Sequence, residues 1–213
     1  MTAWRRTVLV VCLLLAVSTG CTGGSQTGRA TGEQAGAAAS SRVDVDTPAL
    51  RSVKADAGIA GCPTQPAGKR ADDGLPDVTL SCLGGGRDVS LSRVRGPAVV
   101  NLFAQWCKPC RDELPHYQEL HEKAGGKVAV LGVDYLDTQP KAALELARQA
   151  GVTYPLLADP EGRLEDDLRV RGLPGVAFVD ADGRLVGVEY RVIRSYAELR
   201  DLVRDRLGVR LPA

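Results

Sequence analysis

The chain lacks any useful excess of charge: 27 Lys and Arg stand against 26 Asp and Glu. That balance gives no basic surface for nucleic acid and no polybasic face for anionic lipid. Histidine is scarce, with only His116 and His121, five positions apart and so a poor ligand pair on a helix; both read as surface residues. No apolar run is long enough to cross a bilayer comfortably, which needs about 20 residues; the longest, Thr7 to Val17, is about a dozen. Aromatic residues are absent from Thr22 to Val45, where "TGGSQTGRATGEQAGAAASS" shows no apolar periodicity and cannot organise a core.

What is present at the N-terminus reads as an export signal over residues 1–20, with Arg5 and Arg6 before the apolar run. The run ends in "STGC", where Gly20 and Cys21 resemble a bacterial lipobox, although Ser18 stands where an aliphatic residue is usual. The expectation is a lipidated Cys21 followed by a flexible tether over 21–45, reaching about 25 to 30 Å if it behaves as a Gly/Ser coil. An ordinary cleaved signal is the alternative, and "RRTVL" also loosely resembles a twin-arginine signal. The remainder, 46–213, is one domain's worth of chain with its core expected at about 75–207.

Within that domain, strand-like and helix-like segments alternate, which defines an α/β fold with a mixed sheet. "DVTLSCLGGGRDVSL" reads as a hairpin around a Gly-Gly-Gly turn, and "PAVVNLFA" as a central strand covered on both faces. A helix is expected from near Cys107 to Lys123, bent near Arg111 by Pro115. "KVAVLGVD" is a second buried strand, and "PKAALELARQAG" a helix started by Pro and stopped by Gly. "GVAFVDADGRLVGVEY" is two strands joined at Asp182-Gly183, and "SYAELRDLVRDRLG" an amphipathic closing helix.

Four of the six cysteines remain to be explained, two of them in "NLFAQWCKPCRDELP". A Cys-x-x-Cys serves as half a zinc site, a haem attachment point, a staple or a redox dithiol. Haem attachment needs His after the second cysteine, where Arg111 stands; structural zinc needs two close-spaced pairs, and Cys62 and Cys82 form no second one. Cys107 falls at the junction of a buried strand and a helix, where unpaired N–H groups and the helix dipole favour an anion. Thiols so placed have pKa values between roughly 3.5 and 7.5. Cys110, on the same face, is placed to resolve a mixed disulfide formed by Cys107.

Together with "YPLLADPEGRLEDDLRVRGLPGVAFVDADGRLVG", that motif resembles the TlpA/ResA-like membrane-anchored branch of the thioredoxin superfamily. The resemblance implies a thioredoxin fold with an N-terminal β-hairpin extension and a central strand-helix insertion. It implies protein-disulfide oxidoreductase activity without a cofactor or metal, on the extracytoplasmic face of the cell membrane. The implied partners are thiols and disulfides of exported proteins such as apocytochrome c, and a membrane electron donor of the CcdA/DsbD type; a monomer is expected. Cys107 and Cys110 would be catalytic and Glu113 would exchange protons with a buried thiol. Trp106, Leu173 and a cis Pro174 would face substrate, with Lys108 and Pro109 tuning the pair. Two departures bear on substrate preference: Gln105 replaces a common Thr or Ser, and Gly175 the Thr that often follows the proline.

Cys62 and Cys82 lie outside the motif and are expected to form a structural disulfide, worth roughly 3 kcal/mol by loop entropy. A second dithiol relaying electrons to Cys107 is the alternative. Competing functions are a disulfide-forming oxidase, a thiol peroxidase and a redox-inert binding lipoprotein. The peroxidase is weakened by Ala104, which stands three residues before Cys107 where Thr or Ser would be needed.

Overall fold

The computed structural model describes residues 42–65 and 70–213. The signal, Cys21 and nearly all of the tether lie outside the described residues. The tether expected to reach Val45 stops short of it: Val43 and Val45 alternate with Asp44, Val45 is buried, and its carbonyl accepts from Gly84 N at 2.9 Å.

Thr47 and Pro48 start the first helix, α1 (Pro48–Asp56), by a β-region cap whose hydroxyl accepts from Leu50 N, and by a proline at the first turn. The Gly-rich hairpin follows as β1 (Thr79–Cys82) and β2 (Val89–Ser90). The apolar run becomes β3 (Ala98–Phe103), and α2 (Lys108–Ala124) leaves its end, passes through Pro115 and stops on Gly125 at φ 53°. Then come β4 (Ala129–Tyr135), α3 (Pro140–Gln149), β5 (Leu156–Asp159), α4 (Glu165–Leu168), β6 (Gly175–Val179), β7 (Leu185–Glu189) and α5 (Tyr196–Leu207). Ser195 caps α5 by accepting from Glu198 N, and Gly208 closes it at φ 69°.

The strands form one mixed sheet in the order β2-β1-β5-β4-β3-β6-β7. β3 runs parallel to β4 and antiparallel to β6, and all six of its residues are buried. Its alternate side chains therefore serve two layers. Val99 and Phe103 pack with Leu114, Tyr117 and Leu199 of the helices; Val100 and Leu102 pack with Leu80, Leu91, Leu164 and Leu168 on the opposite face. This is the thioredoxin fold, with the hairpin β1-β2 added at one edge and α3-β5 inserted after β4.

Two elements differ from the reading of the sequence. α1 lies upstream of the expected core boundary near residue 75, yet Leu50 and Ile59 are buried in the main core, and Val209 and Leu211 pack on it beyond residue 207. β5, only four residues, fills the gap between β4 and β1 and is buried throughout.

Candidate functional site

Cys107 is the N-cap of α2 and has extended backbone, while its Sγ accepts from Cys110 N at 3.3 Å. Its sulfur thus occupies the place of a capping side-chain oxygen, facing the positive end of a 17-residue helix. Cys107 and Cys110 are joined by an S–S bond of 1.96 Å and both are buried, with Lys108 exposed and Pro109 half-buried between them.

The loop leading into Cys107 is held from the β4 end. Gln105 N donates to Asp137 Oδ2 at 2.7 Å, and Trp106 Nε1 donates to Leu136 O at 3.1 Å. Asp137 also accepts from Gln139 N at 2.9 Å, so one buried carboxylate ties the loop to the start of α3. Leu136 is held at φ 49°, in the left-handed region, and its N–H donates to Asp159 O. Burial first, and then the neighbouring Asp137, push the Asp134 carboxyl well above the usual range. Asp137→Ala leaves two N–H groups without their acceptor and is expected to cost about 1 to 3 kcal/mol of stability, read from denaturant midpoints.

Glu113 lies on the same helix face as Cys110 and is equally buried. Burial raises its pKa to about 7, although the Ile193 N–H, which donates to Oε1, opposes the rise; Glu198 adds to it. Ile193 belongs to the loop between β7 and α5 and carries no motif, so reading the sequence did not reveal it as Glu113's partner.

The Leu173-Pro174 peptide is cis, and Pro174 is buried. The β3–β6 register pairs Leu102 with Gly175, which sets Pro174 beside the C-terminal end of β3, just upstream of Cys107. Gly175 has a reason to be glycine: a Cβ there would lie 2.9 Å from the Tyr190 ring, whose hydroxyl donates to Leu168 O at 2.7 Å. A cleft of about 510 Å³ opens here, lined by Leu173, Pro174, Tyr190 and Val192. Trp106, Leu136 and Val192 are the large apolar side chains left exposed among the described residues, Trp106 at 53%.

Cys62 and Cys82 form the second bridge, with an S–S bond of 1.93 Å, tying the segment before the hairpin to β1. His116 and His121 are both half-buried at the surface, and His121 sits edge-on to the buried Tyr154 ring at 6.0 Å.

A thioredoxin fold that presents a Cys-x-x-Cys at the N-terminus of a helix, with a cis proline at the end of the neighbouring strand, defines a class of dithiol proteins. The chain belongs to the AhpC/TSA family, whose model matches residues 71–188. It is 32% identical over 111 residues to the thioredoxin-like protein YneN of Bacillus subtilis, a stretch covering 51% of this chain and 64% of that protein. It is also 32% identical over 115 residues to the thiol-disulfide oxidoreductase ResA of Geobacillus thermodenitrificans, covering 52% and 63%. The chain thus spans somewhat less than two thirds of the length of either relative. Among solved structures, a DsbF homologue from Corynebacterium diphtheriae superposes with a TM-score of 0.55 at 28% identity, covering 70% of this chain and 99% of that one. DsbF of MTB does so with 0.55 at 29%, covering 62% and 98%.

Proposed function

We propose that the protein is an extracytoplasmic thiol-disulfide oxidoreductase whose working pair is Cys107-Lys108-Pro109-Cys110. The observation that carries this reading is the Cys107 sulfur in the capping position of α2, where Cys110 N–H and the helix dipole stabilise a thiolate. In the reducing direction, the Cys107 thiolate attacks a substrate disulfide, forms a mixed disulfide and expels one substrate thiolate. Cys110 then loses its proton and attacks Cys107 Sγ, which closes the 107–110 bridge and releases the second substrate thiolate. Glu113, with a pKa near 7, accepts the Cys110 proton in that step and returns it in the reverse one. The exposed apolar rim of Trp106, Leu136 and Val192 receives an unfolded or extended polypeptide.

The relatives' names support thiol-disulfide exchange; the substrates of this reading are thiols of exported proteins, apocytochrome c among them, with reducing equivalents from a membrane donor of the CcdA/DsbD type. Lipidation at Cys21 would hold the domain at the outer face of the cell membrane. A thiol peroxidase would need a Thr or Ser hydroxyl three residues before Cys107, where Ala104 stands, so disulfide exchange is favoured over peroxide reduction. Redox titration of the 107–110 pair against glutathione, with insulin reduction as the activity, tests it: a pair that titrates yet never turns over insulin or an apocytochrome c peptide would refute it.

Lys108 is exposed at the first turn of α2, next in sequence to the Cys107 sulfur on which charge appears on reduction. Lys108→Glu is expected to raise the Cys107 thiol pKa and to lower the pair's potential by on the order of 10 to 30 mV. The shift should shrink in high salt, where an exposed charge is screened over about one Debye length. Thiolate absorbance against pH, at low and high salt, measures it.

A further inference from the structure

The second bridge has a cation built against it. Lys54, on the inward face of α1, is buried, and its Nζ lies 3.0 Å from Cys82 Sγ and 2.9 Å from Gly85 O. A disulfide sulfur is a weak acceptor and gives a buried ammonium little compensation. Asp46 acts on Lys54 only from a distance and is itself held by Arg51 at 2.5 Å. The ammonium would gain most from a negative charge at the Cys82 sulfur, and reduction of the bridge places one there.

The other sulfur is prepared for the same event. Cys62 Sγ lies 3.3 Å from Leu156 O, a contact in which only a thiol has a proton to donate. The two sulfurs also differ in access: Cys82 is 1% exposed, whereas Cys62 is only half-buried. An incoming thiolate in line with the S–S bond therefore meets Cys62, and Cys82 is the sulfur expelled.

We propose that Cys62–Cys82 is a second thiol-disulfide exchange site, opened by an external thiol that attacks Cys62 and expels Cys82 as a thiolate held by Lys54. In the first step, the attacking thiolate forms a bond to Cys62 Sγ as the Cys62–Cys82 bond breaks, and the electron pair goes to Cys82. In the second, another thiolate of the reductant attacks the reductant sulfur in the mixed disulfide. The reductant leaves as a disulfide, oxidised by two electrons, and the expelled Cys62 thiolate takes a proton from solvent and, as a thiol, hydrogen-bonds to Leu156 O. A better-stabilised leaving thiolate makes the first step faster and the reduced state more populated. Lys54 is a positioning residue here, acting through charge on the leaving sulfur.

The test equilibrates the full chain with reduced and oxidised dithiothreitol over a series of ratios, followed by alkylation and peptide mass spectrometry. Both bridges are read in the same sample, so the 107–110 pair serves as an internal reference. Lys54→Met is expected to lower the reduction equilibrium constant of Cys62–Cys82 about tenfold, a midpoint shift of about 30 mV, without moving the 107–110 midpoint. Lys54→Arg, which keeps the charge, should recover most of that loss. Coincident Cys62–Cys82 midpoints in wild type and Lys54→Met, or easier opening in Lys54→Met, would overturn the proposal. A measurement independent of any variant uses glutathione as the attacking thiol on the wild-type chain. Adducts should accumulate on Cys62; adducts mainly on Cys82 would equally refute the assignment.

Discussion

Cys107→Ser is expected to abolish insulin reduction, and Cys110→Ser to convert the protein into a trap that accumulates mixed disulfides through Cys107. The asymmetry follows from the helix terminus: Cys107 Sγ sits in the capping position and receives the Cys110 N–H, while Cys110 lies one turn inside and is buried. Only the first thiol has both the stabilised anion and the exposed side on which Trp106 and Lys108 lie. Without Cys110 nothing within the site resolves the adduct, so its lifetime depends on external thiols. Peptide mass spectrometry of alkylated adducts checks the assignment. Accumulation on Cys110 in Cys107→Ser, at a level comparable to that on Cys107 in Cys110→Ser, would reverse it.

Glu113→Gln should remove a loss of stability that the wild-type protein suffers on going from acid to neutral pH. The carboxyl's pKa is raised from the ordinary 4.5 to about 7, chiefly by burial, so the folded state holds its proton more tightly than the unfolded one. The stability contributed by that proton is full below about 4.5 and is lost as pH rises through about 7. With the surroundings free to relax around the charged carboxylate, the loss is on the order of 2 kcal/mol. The carboxamide keeps an oxygen to accept the Ile193 N–H, so the neutral site is retained. Denaturant midpoints at pH 4.5, 6 and 8 should therefore converge for the two proteins at the acid end and favour the variant at the alkaline end. A difference that does not vary with pH would refute the burial argument. Disulfide exchange by the variant should also lose the part of its pH profile that centres near 7, since the proton acceptor for Cys110 no longer titrates.

How much of this was readable beforehand depended on the range over which each residue's signal acts. β3, β4, β6 and α5 are apolar or amphipathic runs bounded by Gly, Pro and Ser, so local pattern sufficed. α1 escaped because its inward face carries Lys54 beside Leu50, and a lysine at a buried position breaks the apolar period that marks a helix. β5 escaped because four residues, "LLAD", are too few to show any period. At the site, Cys107, Cys110, Glu113 and Pro174 announce themselves through spacing and through the family resemblance. Asp137 holds the loop across 32 residues and Ile193 meets Glu113 across 80, and no local pattern encodes either. Gly175, a departure beside the proline, answers to a distant residue as well, since Tyr190 occupies the space a side chain there would need.

The position of β3 in the sheet also sets where the molecule breathes. Its amides are bonded into β4 on one side and β6 on the other, whereas β2 and β7 are edge strands. In native-state hydrogen exchange the β3–β4–β6 seam should be the last to take up deuterium, with the edges opening in smaller, cheaper excursions. Cys107 follows the end of that seam, so the proposed working dithiol should keep its aim through most local openings. The Cys62–Cys82 bridge is anchored to β1, next to the edge strand β2, so the openings expected at that edge are the ones that would bring an external thiol to it.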